Sequence, residues 1–136
     1  MIARPLRTGL ALGAMLALAL TTAACARRYR FPPAVTPAAG TVQTGVASWY
    51  GPGYHGRRTS SGETYDMDAL TAAHATYSFG TQVRVTLLST GRSVEVRIND
   101  RFPNHKGRII DLSRAAAREI GLIGPGTGRV RVVVVG

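Results

Sequence analysis

Two short segments of this chain alternate apolar and polar residues with period two: Val83-Arg84-Val85-Thr86-Leu87 and Val94-Glu95-Val96-Arg97-Ile98. Successive side chains of a strand point to opposite faces, so each segment is written to bury one face and wet the other. Ser89-Thr90-Gly91-Arg92 between them carries turn chemistry, and the unit is expected to be a β-hairpin. Gly45 to Tyr50 and Val130 to Val135 read as further strands, and Ile109-Ile110 as a buried strand run. Ala69 to Tyr77 is ambiguous, its second half leaning to strand. One segment reads as a helix: Ser113 is an N-cap candidate just after Asp111, Arg114 to Ile120 follows, and Gly121 closes it. About six strands, one short helix and Gly-rich connections suit a small closed β-barrel, which leaves no strand edge exposed. Aromatic residues are only 7% of the chain, so Val and Ile are expected to fill the interior. Function belongs in the long loops at 51–64 and 99–108.

The barrel pattern occupies residues 43–136, and what precedes it is of another kind. Residues 1–24 read as an export signal. Arg4 and Arg7 form its basic start, Gly9 to Leu20 its apolar stretch, and Thr22-Ala23-Ala24 its small residues. An apolar run of 12 residues is too short for a stable bilayer span. Cys25 follows at once and is the only cysteine in the chain. The segment Leu20 to Cys25 resembles a bacterial lipobox, with Thr22 standing where Leu is commoner. Cys25 is therefore expected to be lipidated and to hold the chain on a membrane. Ala26 after the cysteine, by resemblance to lipoprotein sorting in Gram-negative bacteria, implies the periplasmic face of the outer membrane. Residues 25–42 carry Arg27, Arg28, Arg30, Pro32, Pro33 and Pro37 and read as a structureless basic tether.

Charge and cysteine count exclude several classes. A single Cys forbids an internal disulfide and a Cys-based zinc site. No phosphate-binding loop, dinucleotide fingerprint or HExxH occurs. The three histidines lack ligand spacing, so no metal and no other cofactor is expected. The chain has 17 Lys+Arg against 7 Asp+Glu. Removing Arg4 and Arg7 leaves 15 − 7 = +8 for the exported form. An exported, anchored protein meets anionic lipid and wall polymer, so no nucleic-acid partner is expected despite the basic balance. A monomer is expected.

Several longer stretches resemble the rare lipoprotein A family. They are Gly45-Val46-Ala47-Ser48-Trp49-Tyr50-Gly51, then His55 to Met67 with Ser60-Ser61-Gly62-Glu63, Leu70-Thr71-Ala72-Ala73-His74, Val96-Arg97-Ile98-Asn99-Asp100-Arg101 and Gly107 to Ser113. The resemblance runs through nearly all of 45–135. It implies a mainly β fold, a six-stranded double-psi β-barrel with one short helix. It also implies a lytic transglycosylase acting on peptidoglycan glycan strands lacking stem peptides. Glu63, His74 and Asp100 match the family's motif positions and are implied to be catalytic. Phe102 stands where the family usually has Gly, and could narrow the groove or stack on a sugar. The chain stops at Gly136, without the glycan-binding SPOR domain of many members, so septal targeting by that route is not expected.

The residues themselves lead to related chemistry. Breaking a glycosidic bond usually takes two carboxyl groups, one protonated and one charged. Glu95 is expected to be solvated, Glu119 lies on the helix, and Asp66 and Asp68 sit in a polar turn. Asp111 is expected to be structural, capping the helix or holding Arg108. Glu63 and Asp100 remain, each in a loop. Arg101 beside Asp100 is expected to keep that carboxyl charged, and Glu63, with no adjacent cation, is the better proton donor; the sequence leaves the two roles exchangeable. His74 either orients a carboxyl or is a satisfied core residue. Trp49 and Tyr50 either stack on sugars or belong to the core. The competing function is a non-catalytic, expansin-like module that binds glycan without cutting it.

Overall fold

The computed structural model describes residues 29–103 and 105–136. The expected signal and Cys25 lie outside the described residues. The elements are β1 (Val42–Trp49), β2 (Thr71–His74), β3 (Gln82–Leu87), β4 (Ser93–Asp100), β5 (Arg108–Leu112), α1 (Arg114–Ile120) and β6 (Gly128–Val134). The strands close into one barrel in the order β1-β5-β2-β4-β3-β6.

The pairing has a twofold logic. β1 lies parallel to β5 and antiparallel to β6, while β4 lies parallel to β2 and antiparallel to β3. The two remaining seams, β2–β5 and β3–β6, are antiparallel. Exchanging β1 with β4, β2 with β5 and β3 with β6 therefore maps the barrel onto itself. Two interlocked three-strand units make the double-psi arrangement. Each parallel seam carries one irregularity, at Val46/Ala47 and at Ala72/Ala73.

The two alternating segments pair as the hairpin β3–β4, with Val83 opposite Val96 and Val85 opposite Val94. Their apolar faces meet Val130, Val132, Ile110 and Leu112 inside the barrel. These side chains are almost fully buried, each worth roughly 1.5–3 kcal/mol of transfer free energy. α1 forms as the capping residues dictate. The Ser113 hydroxyl accepts from the Ala116 N–H, and Gly121, at φ +81°, ends the helix in the left-handed conformation. Gly45 answers to a different need. A Cβ there would lie 2.7 Å from Ile109 Cγ2 and 3.1 Å from the Gly107 carbonyl oxygen, so a side chain at this point would force its neighbours to shift.

The stretch expected to be a free tether is in part tied down. The Val35 N–H donates to Thr76 O and its carbonyl accepts from Ser78 N–H, making a parallel bridge to Tyr77. The Gly40 N–H donates to Val134 O, and β1 then begins at Val42. Pro-rich composition predicted no regular structure here; the edge groups of neighbouring segments supply backbone partners regardless. No helix among the described residues is long and apolar enough to cross a membrane.

Candidate active site

β4 ends at Asp100, just past the irregularity where Ile98 pairs with Ala72 and Asp100 with Ala73, and the carboxylate lines a cleft at this end of the barrel. A tight turn crosses the same end. The Thr59 N–H and hydroxyl both donate to Glu63 O, at 2.7 and 2.8 Å, and the Gly62 N–H donates back to Thr59 O. Gly62, at φ +93°, supplies the left-handed residue the turn requires. The closed turn aims the Ser60 N–H at Asp100 Oδ1, 2.9 Å away. The Arg101 N–H donates to the same oxygen at 2.8 Å, and the Tyr50 hydroxyl to Oδ2 at 2.6 Å. Three donors thus orient one carboxylate. Burial and the bond to Asp100 push the Tyr50 hydroxyl far up, so Tyr50 stays a donor. Asp100 opens on a cleft of about 330 Å³ walled by Tyr50, Tyr54, Tyr65 and Thr59, with Arg57, Arg58 and Arg101 completing it.

Glu63 touches the same turn but looks elsewhere. Its two oxygens accept from Arg97 Nη1 and Nη2 at 2.7 and 2.8 Å, a bidentate pair on the outer face of β4. The Ser61 hydroxyl adds a bond at 3.3 Å. Bonding to Arg97 holds the Glu63 carboxyl below its ordinary range, with desolvation opposing. The expectation that Glu63 lacks a neighbouring cation does not hold: Arg97, 34 residues away in sequence, supplies one. Both carboxylates are brought to one turn, yet Asp100 lines the cleft and Glu63 does not.

Arg101 also departs from expectation. Its guanidinium donates to the carbonyls of His74 and Tyr77, at 3.3 and 2.8 Å, and lies 4.1 Å over the Phe79 ring. It braces the chain beneath Asp100 rather than pairing with that carboxylate; only its N–H touches it. His74 bonds neither carboxyl. It is 3% exposed and stacks on Tyr77 with ring centroids 3.8 Å apart. Nδ1 accepts from the N–H groups of Thr76 and Tyr77, which leaves the ring proton on Nε2, donated to Gln43 Oε1 at 2.9 Å. Burial, with help from Arg101, pushes His74 down to about 4, so the ring is neutral at pH 7. The His74 ring is thus hydrogen-bonded within the wall of the barrel and touches neither carboxyl.

Asp111 does not cap the helix, a role Ser113 takes, and makes no ion pair with Arg108. Its Oδ1 accepts from the Ser48 hydroxyl at 2.9 Å, and Ser48 in turn accepts from Arg108 Nε at 3.1 Å. Burial raises the Asp111 pKa, opposed by Ser48 and Arg108 and reinforced by the charge of Asp100. The fold explains that coupling: Ala73 is the register partner of Asp100 on one side and of Asp111 on the other. Two strand spacings, about 10 Å, separate the two backbones. Arg108 also lies 4.8 Å over the ring of Phe102, which thereby joins the support of this network.

Trp49 packs part-buried against the core and also lines a second cleft of about 320 Å³, shared with Tyr50, Pro52, Tyr65, Met67 and Ile123. Tyr50 and Tyr65, 4.5 Å apart, form the wall between the two clefts. Trp49 and Tyr50 thus face both alternatives at once, core on one side and cleft on the other. Sequence reasoning missed Arg97 as the partner of Glu63 and Tyr50 as a donor to Asp100, pairs 34 and 50 residues apart with no local signal. It also passed over Arg57 and Arg58, which the loop reading of 51–64 had within reach.

Residues 42–132 match the protein family described as lytic transglycolase. A probable endolytic peptidoglycan transglycosylase RlpA of Synechocystis is 57% identical over 94 residues, 69% of this chain and 29% of the relative. The endolytic peptidoglycan transglycosylase RlpA of Campylobacter jejuni is 54% identical over 99 residues, 73% of this chain and 36% of the relative. The chain therefore spans about a third of the length of these relatives. Among solved structures, an expansin of Clavibacter michiganensis superimposes with TM-score 0.56 at 25% identity, over 71% of this chain and 51% of that one.

Proposed function

The chain belongs to the lytic transglycolase family, and from that membership we propose that it cuts the glycan strands of peptidoglycan, closing a 1,6-anhydro ring on the muramyl sugar. The observation that carries the reading is Asp100: one carboxylate oriented by Tyr50, Ser60 and Arg101 at the mouth of an aromatic-walled cleft. Placed beside the muramyl ring, it accepts the proton of the C6 hydroxyl as O6 attacks C1, and its charge steadies the oxocarbenium-like state. The departing oxygen needs a proton. Glu63 is paired with Arg97 and lines no part of the cleft, and Asp111 lies two strands from Asp100, bonded to Ser48. Water in the open cleft supplies that proton, and Asp100 returns the one it took to solvent, so the step balances. Glu63 keeps the turn that presents Ser60 to Asp100, and His74 is a positioning residue acting through its carbonyl on Arg101.

The preference for strands without stem peptides, lipidation at Cys25 and residence at the periplasmic face of the outer membrane complete the proposal. The lipobox-like segment before Cys25 supports the anchor. Cys25→Ser is expected to release the protein from membranes. Likeness to an expansin favours one second reading, a binder that does not cut. Incubating the full chain with stem-peptide-free glycan separates the readings by mass spectrometry. Anhydro-muramyl ends support the transglycosylase, reducing ends indicate a hydrolase, and retention without new ends indicates the binder.

A further inference from the structure

The cleft beside Asp100 holds three arginines and one carboxylate. Arg101 is spent on two carbonyls and the Phe79 ring. Arg57 and Arg58 are not so spent. Both are exposed, and the ion pairs among the described residues are Arg84–Glu95 and Arg97–Glu63. Their backbone is nonetheless well held. The Arg57 N–H donates to Tyr54 O, its carbonyl accepts from Tyr65 N–H at 2.7 Å, and Arg58 bridges Thr64. The Arg57 guanidinium sits 5.3 Å from the Tyr54 ring centroid. Two guanidiniums without a carboxylate partner, carried on an ordered ribbon into the cleft of the reacting group, form a receptor for an anion.

We propose that Arg57 and Arg58 determine specificity by binding the free lactyl carboxylate of the muramyl sugar whose anomeric carbon lies at Asp100. The inference rests on the glycan-cutting reading. On a muramyl sugar stripped of its peptide, the lactyl group ends in a carboxylate one ring's width from C1. When a stem peptide is attached, that carboxylate is an amide, and the nearest negative charge moves away along the peptide. A planar guanidinium matches a carboxylate with two parallel hydrogen bonds and gains nothing comparable from an amide. The same arginines would therefore favour the stripped strand and disfavour the substituted one.

The test uses the full chain and three glycan probes: lactyl groups free, converted to the methyl amide, or extended by a single alanine. Binding is followed through Trp49, the only tryptophan, and cleavage through anhydro-muramyl ends. The wild type is expected to prefer the free acid over the methyl amide by about ten- to a hundredfold in Kd and in kcat/KM. The double variant R57Q/R58Q is expected to lose that preference by weakening on the free acid alone. R129Q/R131Q removes equal charge from exposed positions of β6 and is expected to leave the preference intact. An unchanged preference in R57Q/R58Q, an equal loss in the β6 control, or an alanine-extended probe that binds as well as the free acid would each overturn the proposal. The binding arm decides it even if no strand is cut, a result that would sink the transglycosylase reading alone.

Discussion

His74 is the place where the structure commits free energy to one protonation state. The ring is buried, its Nδ1 already accepts two N–H groups, and a second ring proton would have nothing to bond. Its pKa drops from 6.5 to about 4 on folding. The folded state therefore binds fewer protons than the unfolded state between those values. The contribution is fully present above pH 6.5 and is lost progressively as pH falls toward 4. The whole shift corresponds to about 3 kcal/mol, of which about 2 kcal/mol is gone by pH 5. Urea unfolding of wild type and His74→Gln at pH 7.5 and pH 5 measures this. The variant starts less stable, because the bonds to Thr76 and Tyr77 are disturbed, but its stability should fall by about 2 kcal/mol less over the interval. Subtracting the two proteins cancels the acids and the other histidines, His55 and His105. A wild type and variant that lose stability in parallel, or a His74 ring that titrates near 6.5 by NMR, would refute the reasoning.

Asp100→Asn should lower kcat/KM by roughly 10²–10⁴-fold with little change in Tm, and Tyr50→Phe should cost less because two N–H donors still hold the carboxylate. Asp111→Asn should lower the rate less than Asp100→Asn, since Asp111 lines neither cleft; an equal loss, with Tm unchanged, would place Asp111 in the chemistry. Gly45→Ala should destabilise by roughly 1–3 kcal/mol in urea unfolding, because the new methyl group meets Ile109 across the β1–β5 seam. Glu95→Gln should change stability by about 0.5 kcal/mol or less and leave the rate unaltered, since its pair with Arg84 is more than half exposed on both sides.

What the chain announces on its own is whatever is written within one turn or one strand. Alternation at 83–87 and 94–98 produced the hairpin β3–β4, and Ser113 with Gly121 bounded α1 at the residues where it starts and stops. Those signals are local because a strand's facing and a helix's caps depend on neighbours a few residues away. Family motifs carried the double-psi barrel and drew Glu63, His74 and Asp100 to notice. They did not carry what each side chain touches. Whether Glu63 has a cation depends on Arg97 facing outward from β4 under a turn that closes through Gly62. That Asp111 lies two strands from Asp100 follows from both residues sharing Ala73 as register partner, a consequence of β2 lying between β4 and β5 in the closed barrel. His74 is neutral because the barrel wall and Tyr77 enclose it, and Tyr50 reaches Asp100 across 50 residues of sequence because β1 delivers it to the same mouth. Periodicity decides which residues face inward; only the closed register decides which of them meet, and a carboxyl's charge state follows from the meeting.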